Sequence, residues 1–356
     1  MSDRITVLVV DDSRLFRTAL EEALSHENDI SVIGSAFSGD KALEMIRQNR
    51  PDVVTLDVEM PGMDGLKTLQ EIRKFNPAGS IGVIMVSAHT RRGAQVTIDA
   101  LNNGAFDFIA KPSGGTAEAS LAALRQDLIT KIRAWATSRR KLPSPAIAPV
   151  AAPQRPRTIL PGHVRAIVIG ASTGGPRALS TLLPELCKRV EVPILIVQHM
   201  PTGFTRPLAE SLERLSNRKT IEAAEGLLIE PKTVYVAPAG RHLLFRGTAV
   251  QPLTRLTDQP PENGCRPSVD VLFRSAAAIF GSGALAIILT GMGRDGTAGL
   301  GAIRRAGGCA IAQDQASSVV WGMPGSAVEA GVIDQVEPLD RIAAAAAQII
   351  TRGKAR

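Results

Sequence analysis

Residues 167–175 read IVIGASTGG, an apolar run that stops at a serine flanked by glycines. A short apolar run bounded by glycine predicts a buried strand, and the glycines permit a sharp turn into a helix. Such a turn serves as a dinucleotide-binding loop, as a nucleophile elbow, or as a plain tight connection. The next apolar run, PILIVQ, ends in Gln198 and His199, so it carries no acid for a ribose. The turn also lacks the G-x-G-x-x-G spacing and a phosphate-loop lysine, which disfavours a nucleotide. A third run, ALAIILTGMGR, leads to Asp295. If the three runs are parallel strands, Ser172, His199 and Asp295 meet above one sheet edge. A serine needs a base to take its proton, and the base needs a third group to fix its tautomer. Singly, each has a structural alternative: Ser172 or Asp295 could cap a helix, and His199 could be a satisfied core histidine. The five histidines of the chain include two rival bases, His163 and His242.

Outward from this stretch the chain divides in two. At 356 residues it exceeds the usual size of one core. The segment LPSPAIAPVAAPQRPRTILPG, Leu142 to Gly162, holds repeated prolines and no helical or strand period, so it reads as a semi-extended linker. The expected organisation is a first domain over 1–125, a helix end and proline-rich linker over 126–162, and a second domain over 163–352. In the first, TVLVV, DVVTL, GVIMVS and FDFIA alternate with helical patterns such as DKALEMIRQNR, which predicts a doubly wound five-stranded parallel sheet. The second resumes the alternation, and TVYVAP, RHLLFRG and AVQPLTR suggest a small antiparallel insert. The alanine run at 343–347 predicts a C-terminal helix.

Cys187, Cys265 and Cys309 are widely spaced and odd in number, which supports neither a disulfide framework nor a zinc site, so all three are expected to be reduced core residues. The N-terminus shows no secretory signal and no apolar stretch approaches a membrane span, so a cytoplasmic location without membrane insertion is expected. The net charge of +7 suits acidic partners in general. Arg139, Arg140, Lys141, Arg155 and Arg157 lie near the linker and no helix-turn-helix pattern follows, so nucleic acid is not an expected partner.

In the first domain, TVLVV ends in Asp11 and Asp12, and DVVTL ends in Asp57. Open α/β sheets hold ligands at the carboxyl ends of their strands. Clustered carboxylates repel unless a cation joins them, and hard oxygen ligands suit Mg2+. Ser87 and Lys111 close two further strands and complete an anion site. The set, with the turn DVEMPGMDG, resembles the receiver domain of two-component response regulators, a flavodoxin-like fold. The resemblance implies that Asp57 accepts a phosphoryl group from a CheA-type histidine kinase. It further implies that Asp11, Asp12, Asp57 and the backbone carbonyl of Glu59 hold Mg2+, that Ser87 and Lys111 contact the phosphoryl oxygens, and that Phe108 is an aromatic switch.

In the second domain AIVIGASTGGP, VQHMPTGFTRPLAESL, VYVAPAGRHL, RPSVDVLFRSAA, LTGMGRDGTAGL and VVWGMPGSAV together resemble the catalytic domain of chemotaxis protein-glutamate methylesterases of the CheB family. The resemblance implies a doubly wound α/β domain with Ser172 as nucleophile, His199 as general base and acid, and Asp295 as the orienting carboxylate. Thr173 and the backbone amide of Met292 would assist the oxyanion, and the esterase would need no cofactor. The implied reaction hydrolyses glutamyl γ-methyl esters on methyl-accepting chemoreceptors, with glutamine deamidation by the same route. Two other functions compete with this one: a phosphorylation-controlled binding module without esterase activity, and a nucleic-acid-binding response regulator.

Overall fold

The computed structural model describes residues 4–77, 79–88, 90–111, 117–139 and 164–352. The chain forms two compact units, Met1–Lys141 and Leu142–Arg356. The linker segment 142–162, with Arg140, Lys141, Arg155, Arg157 and His163, lies outside the described residues.

The first unit alternates strands β1 (Ile5–Val10), β2 (Ile30–Ala36), β3 (Val53–Asp57), β4 (Gly82–Ser87) and β5 (Asp107–Ala110) with helices α1 (Arg14–Ser25), α2 (Gly39–Asn49), α3 (Gly65–Phe75), α4 (Arg91–Asn102) and α5 (Ala117–Arg139). All neighbouring strands pair in parallel, in the order β2-β1-β3-β4-β5. β3 and β4 are buried throughout, which is why neither alternates apolar with solvent-facing polar residues; Thr55 is buried within β3, and Asp57 and Ser87 close the two strands. Polar side chains start the helices. Ser38 caps α2 by accepting from the Lys41 amide, and Asp64 caps α3 by accepting from the Lys67 amide at 2.8 Å. The strand order reverses between β1 and β3, and Asp11 and Asp57 sit at the ends of those two strands. The expected boundary at 125 falls inside α5, which buries Leu128, Ile129 and Ile132 and sets Trp135 edge-on against Phe106.

The second unit is built on seven strands: β6 (Ala166–Ala171), β7 (Ile194–Gln198), β8 (Thr220–Glu222), β9 (Val234–Val236), β12 (Ala284–Ile288), β13 (Cys309–Gln313) and β14 (Gln335–Glu337). They pair in parallel in the order β14-β13-β12-β6-β7-β9-β8. Helices α6 (Gly175–Arg189), α7 (Thr205–Ser216), α8 (Val269–Phe280), α9 (Thr297–Arg305), α10 (Met323–Glu329) and α11 (Leu339–Arg352) complete the layers. The alanine run lies within α11, which packs on α6 and buries Ile342, Ala346 and Ile349.

An antiparallel insert is present but smaller than expected: it is the pair β10 (His242–Gly247) and β11 (Pro252–Thr257). The TVYVAP strand is instead β9, paired in parallel with both β7 and β8. Its three residues are all buried, and Tyr235 reaches its hydrogen-bond partners at the Glu230 amide and the Leu228 carbonyl without leaving the core. No helix among the described residues is long and apolar enough to cross a membrane.

Close packing in the first unit yields a stability prediction. A Cβ on Gly82 would stand 2.6 Å from the Trp135 ring. Gly82→Ala is therefore expected to lower the stability of the first unit by roughly 1–3 kcal/mol through overpacking, read in calorimetry as a lower midpoint for the transition of that unit. An unchanged transition would mean that the ring moves away freely.

Candidate active site and phosphoacceptor site

Ser172 follows β6 and His199 follows β7, and the last paired residues of these two strands are Ala171 and Gln198. The serine and histidine thus leave adjacent strands at the same height. The His199 amide donates to the Ala171 carbonyl at 3.0 Å. The Gln198 side chain donates to the carbonyls of both Ser172 and His199, each at 2.9 Å. On the other side of β6, the Ser172 amide donates to the Thr290 carbonyl at 3.1 Å. The strand order reverses around β6, where chain crossovers leave a crevice at the carboxyl ends of the strands.

The glycines around the serine have distinct tasks. Gly174 has φ 76, a conformation that favours glycine, and a Cβ on Gly175 would stand 2.0 Å from the Gln198 side-chain oxygen. A Cβ on Gly291 would come within 2.8 Å of the Ser172 Cβ. The loop carrying Gly291 and Met292 therefore closes directly on the serine. Thr173 is buried, and its carbonyl accepts from the Thr290 hydroxyl at 3.0 Å.

Asp295 lies beyond β12 and is buried. Its Oδ2 accepts from His199 Nε2 at 2.8 Å and from the Val269 amide at 2.7 Å. Its Oδ1 accepts from Ser268 Oγ at 2.8 Å, from Asn263 Nδ2 at 3.1 Å, and from the amides of Asp270 and Gly296. Two of these amides open α8, so the carboxylate sits where the helix presents unpaired N–H groups and the positive end of its dipole. Burial alone would raise the Asp295 pKa, but the bond from His199 and the amide and hydroxyl donors outweigh it and hold the pKa down to about 2. Neighbouring Asp270 shifts the other way. Burial pushes its carboxyl up, and Asp295 adds repulsion.

With Nε2 committed to Asp295, the other ring nitrogen of His199, Nδ1, is the one available to a substrate or nucleophile. Cys265 Sγ lies 3.6 Å from it. Burial works to lower the His199 pKa, yet the bonds to Asp295 and Cys265 prevail and raise it to about 9. His242, the rival base among the described residues, is occupied: its Nδ1 accepts from the Ser268 amide and its Nε2 reaches the Pro260 carbonyl, both at 3.1 Å. It braces the start of α8. Asn263, Cys265, Ser268 and Gln198 were not evident as site residues from sequence. Only Ser268, two residues before an acid at the start of an apolar helix, carried a local signal, that of a helix cap.

In the first unit, Lys111 Nζ lies 2.8 Å from Asp11 Oδ2 and 2.9 Å from Asp57 Oδ2. Asp11, Asp12 and Asp57 each offer an oxygen within 4.8 Å of the others. Burial pushes the Asp57 pKa up to about 6, and Asp11 adds to the rise while Lys111 opposes it. This donor set fits a hard divalent cation, since hard oxygen ligands suit Mg2+ and a second positive charge would relieve the repulsion that Lys111 offsets only in part. Glu59 sits two residues on, its amide 3.4 Å from Asp57 Oδ1. Ser87 is buried at the end of β4 beside Asp57, and its hydroxyl donates to the Ala88 carbonyl at 3.2 Å. Phe108 is buried on β5, with Lys131 Nζ 5.4 Å from its ring centre.

Comparison with known proteins agrees with this division. Residues 167–346 match the CheB methylesterase family and residues 7–122 match the response regulator receiver domain. A protein-glutamate methylesterase/protein-glutamine glutaminase from Nocardioides is 46% identical over 94% of this chain and 92% of its own length. One of the same name from Geobacillus kaustophilus is 44% identical over 97% of this chain and 99% of its own. The crystal structure of the Thermotoga maritima CheB methylesterase catalytic domain shares 40% identity, covers 52% of this chain and 98% of that one, and superposes with a TM-score of 0.51. The chain belongs to the CheB methylesterase family, and its catalytic domain follows a response regulator receiver domain.

Proposed function

We propose that this protein is a serine esterase that removes methyl groups from glutamyl γ-methyl esters of methyl-accepting chemoreceptors, under the control of receiver phosphorylation. The observation that carries the reading is the buried, ionised Asp295 bonded to His199 Nε2, with Ser172 leaving the adjacent strand beside it. In this reading Asp295 keeps the proton on Nε2, so Nδ1 takes the proton of Ser172 as its oxygen attacks the ester carbonyl. The amide of Met292 and the turn at Thr173 are the proposed oxyanion donors, supported by the close approach of the Gly291 loop to the serine. Nδ1 then returns the proton to the departing methoxide, and methanol leaves. A water attacks the acyl-serine as it gives its proton to Nδ1, and Nδ1 passes that proton to the departing Ser172 oxygen, which restores the serine and frees the glutamate. Deamidation of receptor glutamines follows the same steps with ammonia as the leaving group.

In the receiver, Asp57 is the proposed phosphoryl acceptor for a CheA-type histidine kinase, with Lys111 and Ser87 on the phosphoryl oxygens and Phe108 as the switch residue. Asp11, Asp12, Asp57 and the Glu59 carbonyl would hold Mg2+, which neutralises phosphoryl charge when bound. Phosphorylation acts on the esterase by favouring one arrangement of the receiver over another.

Four outcomes are expected. Ser172→Ala should release methanol from methylated receptor membranes at least about a thousandfold more slowly than wild type. Release that survives the substitution would remove the serine from the mechanism.

The free-enzyme kcat/KM, corrected for hydrolysis with the Ser172→Ala protein, should climb with pH through about 9, because His199 must lose its proton to act and its pKa is raised to that value. Asp295→Asn should shift the midpoint down and reduce the plateau by roughly 10²–10⁴-fold. A midpoint that stays put in the variant would dissociate Asp295 from the base.

A small phosphodonor with Mg2+ should accelerate the wild-type esterase, and Asp57→Asn should abolish that response. An equal response in the variant would place regulation elsewhere.

A further inference from the structure

Cys265 takes no part in the acyl-transfer scheme, yet its thiol faces the nitrogen on which that scheme depends. The residue is held there by a rigid turn. Glu262 and Cys265 exchange backbone hydrogen bonds at 3.1 and 2.9 Å, and the two residues between them, Asn263 and Gly264, both have positive φ. An Asn-Gly pair with these angles is a tight hairpin turn. The turn and the residue before it are tied down. The Asn263 side chain donates to Asp270 at 2.8 Å and to Asp295 at 3.1 Å, while Glu262 meets the Arg274 guanidinium in a two-pronged ion pair.

The geometry matches a coordination site. Zinc bonds of about 2.3 Å to sulfur and about 2.0 Å to imidazole nitrogen, at a tetrahedral angle, separate the two ligand atoms by roughly 3.5 Å. Cys265 Sγ and His199 Nδ1 are 3.6 Å apart. Behind the imidazole, Nε2 already donates to Asp295, the carboxylate–histidine pairing that fixes the tautomer and increases the basicity of a metal-binding histidine. His199, Cys265 and Asp295 cluster here as the receiver carboxylates do, but Asp295 is bonded to Nε2, so Cys265 Sγ and His199 Nδ1 are the two protein ligands that a cation at Nδ1 would have. The ligand types separate the two. Thiolate with imidazole selects a soft or borderline cation, whereas the receiver's carboxylates suit Mg2+. Cys265 is partly exposed and so open to an ion from solution, while Cys187 and Cys309 are buried.

We propose that Cys265 Sγ and His199 Nδ1 form a binding site for a thiophilic divalent cation of the zinc class, and that its occupation silences the esterase. The cation displaces the thiol proton of Cys265, and the Nδ1 proton where one is present, leaving the remaining coordination positions to water. It thereby takes the lone pair that must accept the Ser172 proton. Binding stands on the geometry alone, while silencing rests on the triad reading above.

The test uses full-length, untagged protein with excess Mg2+ over the receiver site. Co2+, as a spectroscopic stand-in for Zn2+, should produce a thiolate-to-cobalt charge-transfer band in the near ultraviolet, and added Zn2+ should erase it. Cys265→Ser and His199→Gln, each checked for folding by circular dichroism, should weaken binding at least about tenfold, and the serine variant should lose the band. In the methanol-release assay Zn2+ should inhibit wild type reversibly, with a chelator restoring the rate. The Cys265→Ser protein should need at least about tenfold more Zn2+ for the same fractional inhibition. Absence of the band, or a band that survives Cys265→Ser, overturns the site. Equal inhibition of both proteins overturns the silencing. Because the band needs no turnover, failure of the esterase reading would show separately, as methanol release that does not depend on Ser172.

Discussion

The catalytic unit depends on one buried negative charge. An ionised carboxylate taken out of water loses several kcal/mol of solvation unless other groups replace it. Asp295 is compensated on both oxygens, by the opening amides of α8, by Ser268, Asn263 and Gly296, and by His199. These donors come from four segments: the end of β7, the Asn-Gly turn, the start of α8, and the loop after β12. The same contacts that keep the charge tolerable fix those segments relative to one another. The geometry of the site is thus tied to the solvation of a single carboxylate.

The two units use one layout for opposite electrostatic ends. Each puts its reactive residues at the carboxyl ends of parallel strands, beside the point where strand order reverses. In the second unit the protein supplies nearly all the compensation, so Asp295 stays charged with its pKa near 2. In the first, Asp57 and Asp11 share one lysine, and burial leaves Asp57 near 6. A site whose charge is fully matched holds still. A site with unmatched charge responds strongly to an added cation or phosphoryl group, which is the property a receiver needs.

Sequence made the strand-end residues legible for a physical reason. Fully buried parallel strands must be apolar along their whole length, so the first polar residue after each run marks the sheet edge. Ser172, Asp57 and Lys111 emerge in this way, and His199 directly follows Gln198, the polar residue that closes β7. Asp295 was less direct, because its loop runs on past β12 before reaching it. Partners that act across the fold left little trace. His199 and Asp295 are 96 residues apart, and the Asp295 bond to the Val269 amide spans 26. No local period encodes such pairs, so Asn263, Cys265 and the bracing role of His242 emerge only in three dimensions. The strand at Tyr235 went astray for a related reason: three buried residues fit a hairpin or a sheet edge equally well until their neighbours are known.

The bond that orients His199 also limits it as the proposed base. An imidazole held to an ionised carboxylate is a stronger proton acceptor, but with its pKa near 9 only roughly one molecule in a hundred is neutral at pH 7. Burial is the largest influence on His199 and it acts in the opposite direction, against the charged ring. In the proposed reaction a glutamyl ester placed over His199 would remove further water from the imidazolium, and the added desolvation would favour the neutral form. In the proposed mechanism substrate binding would therefore move His199 toward the neutral state that accepts a proton. Until then the protonated ring is stabilised by Asp295 on Nε2 and by the Cys265 sulfur 3.6 Å from Nδ1.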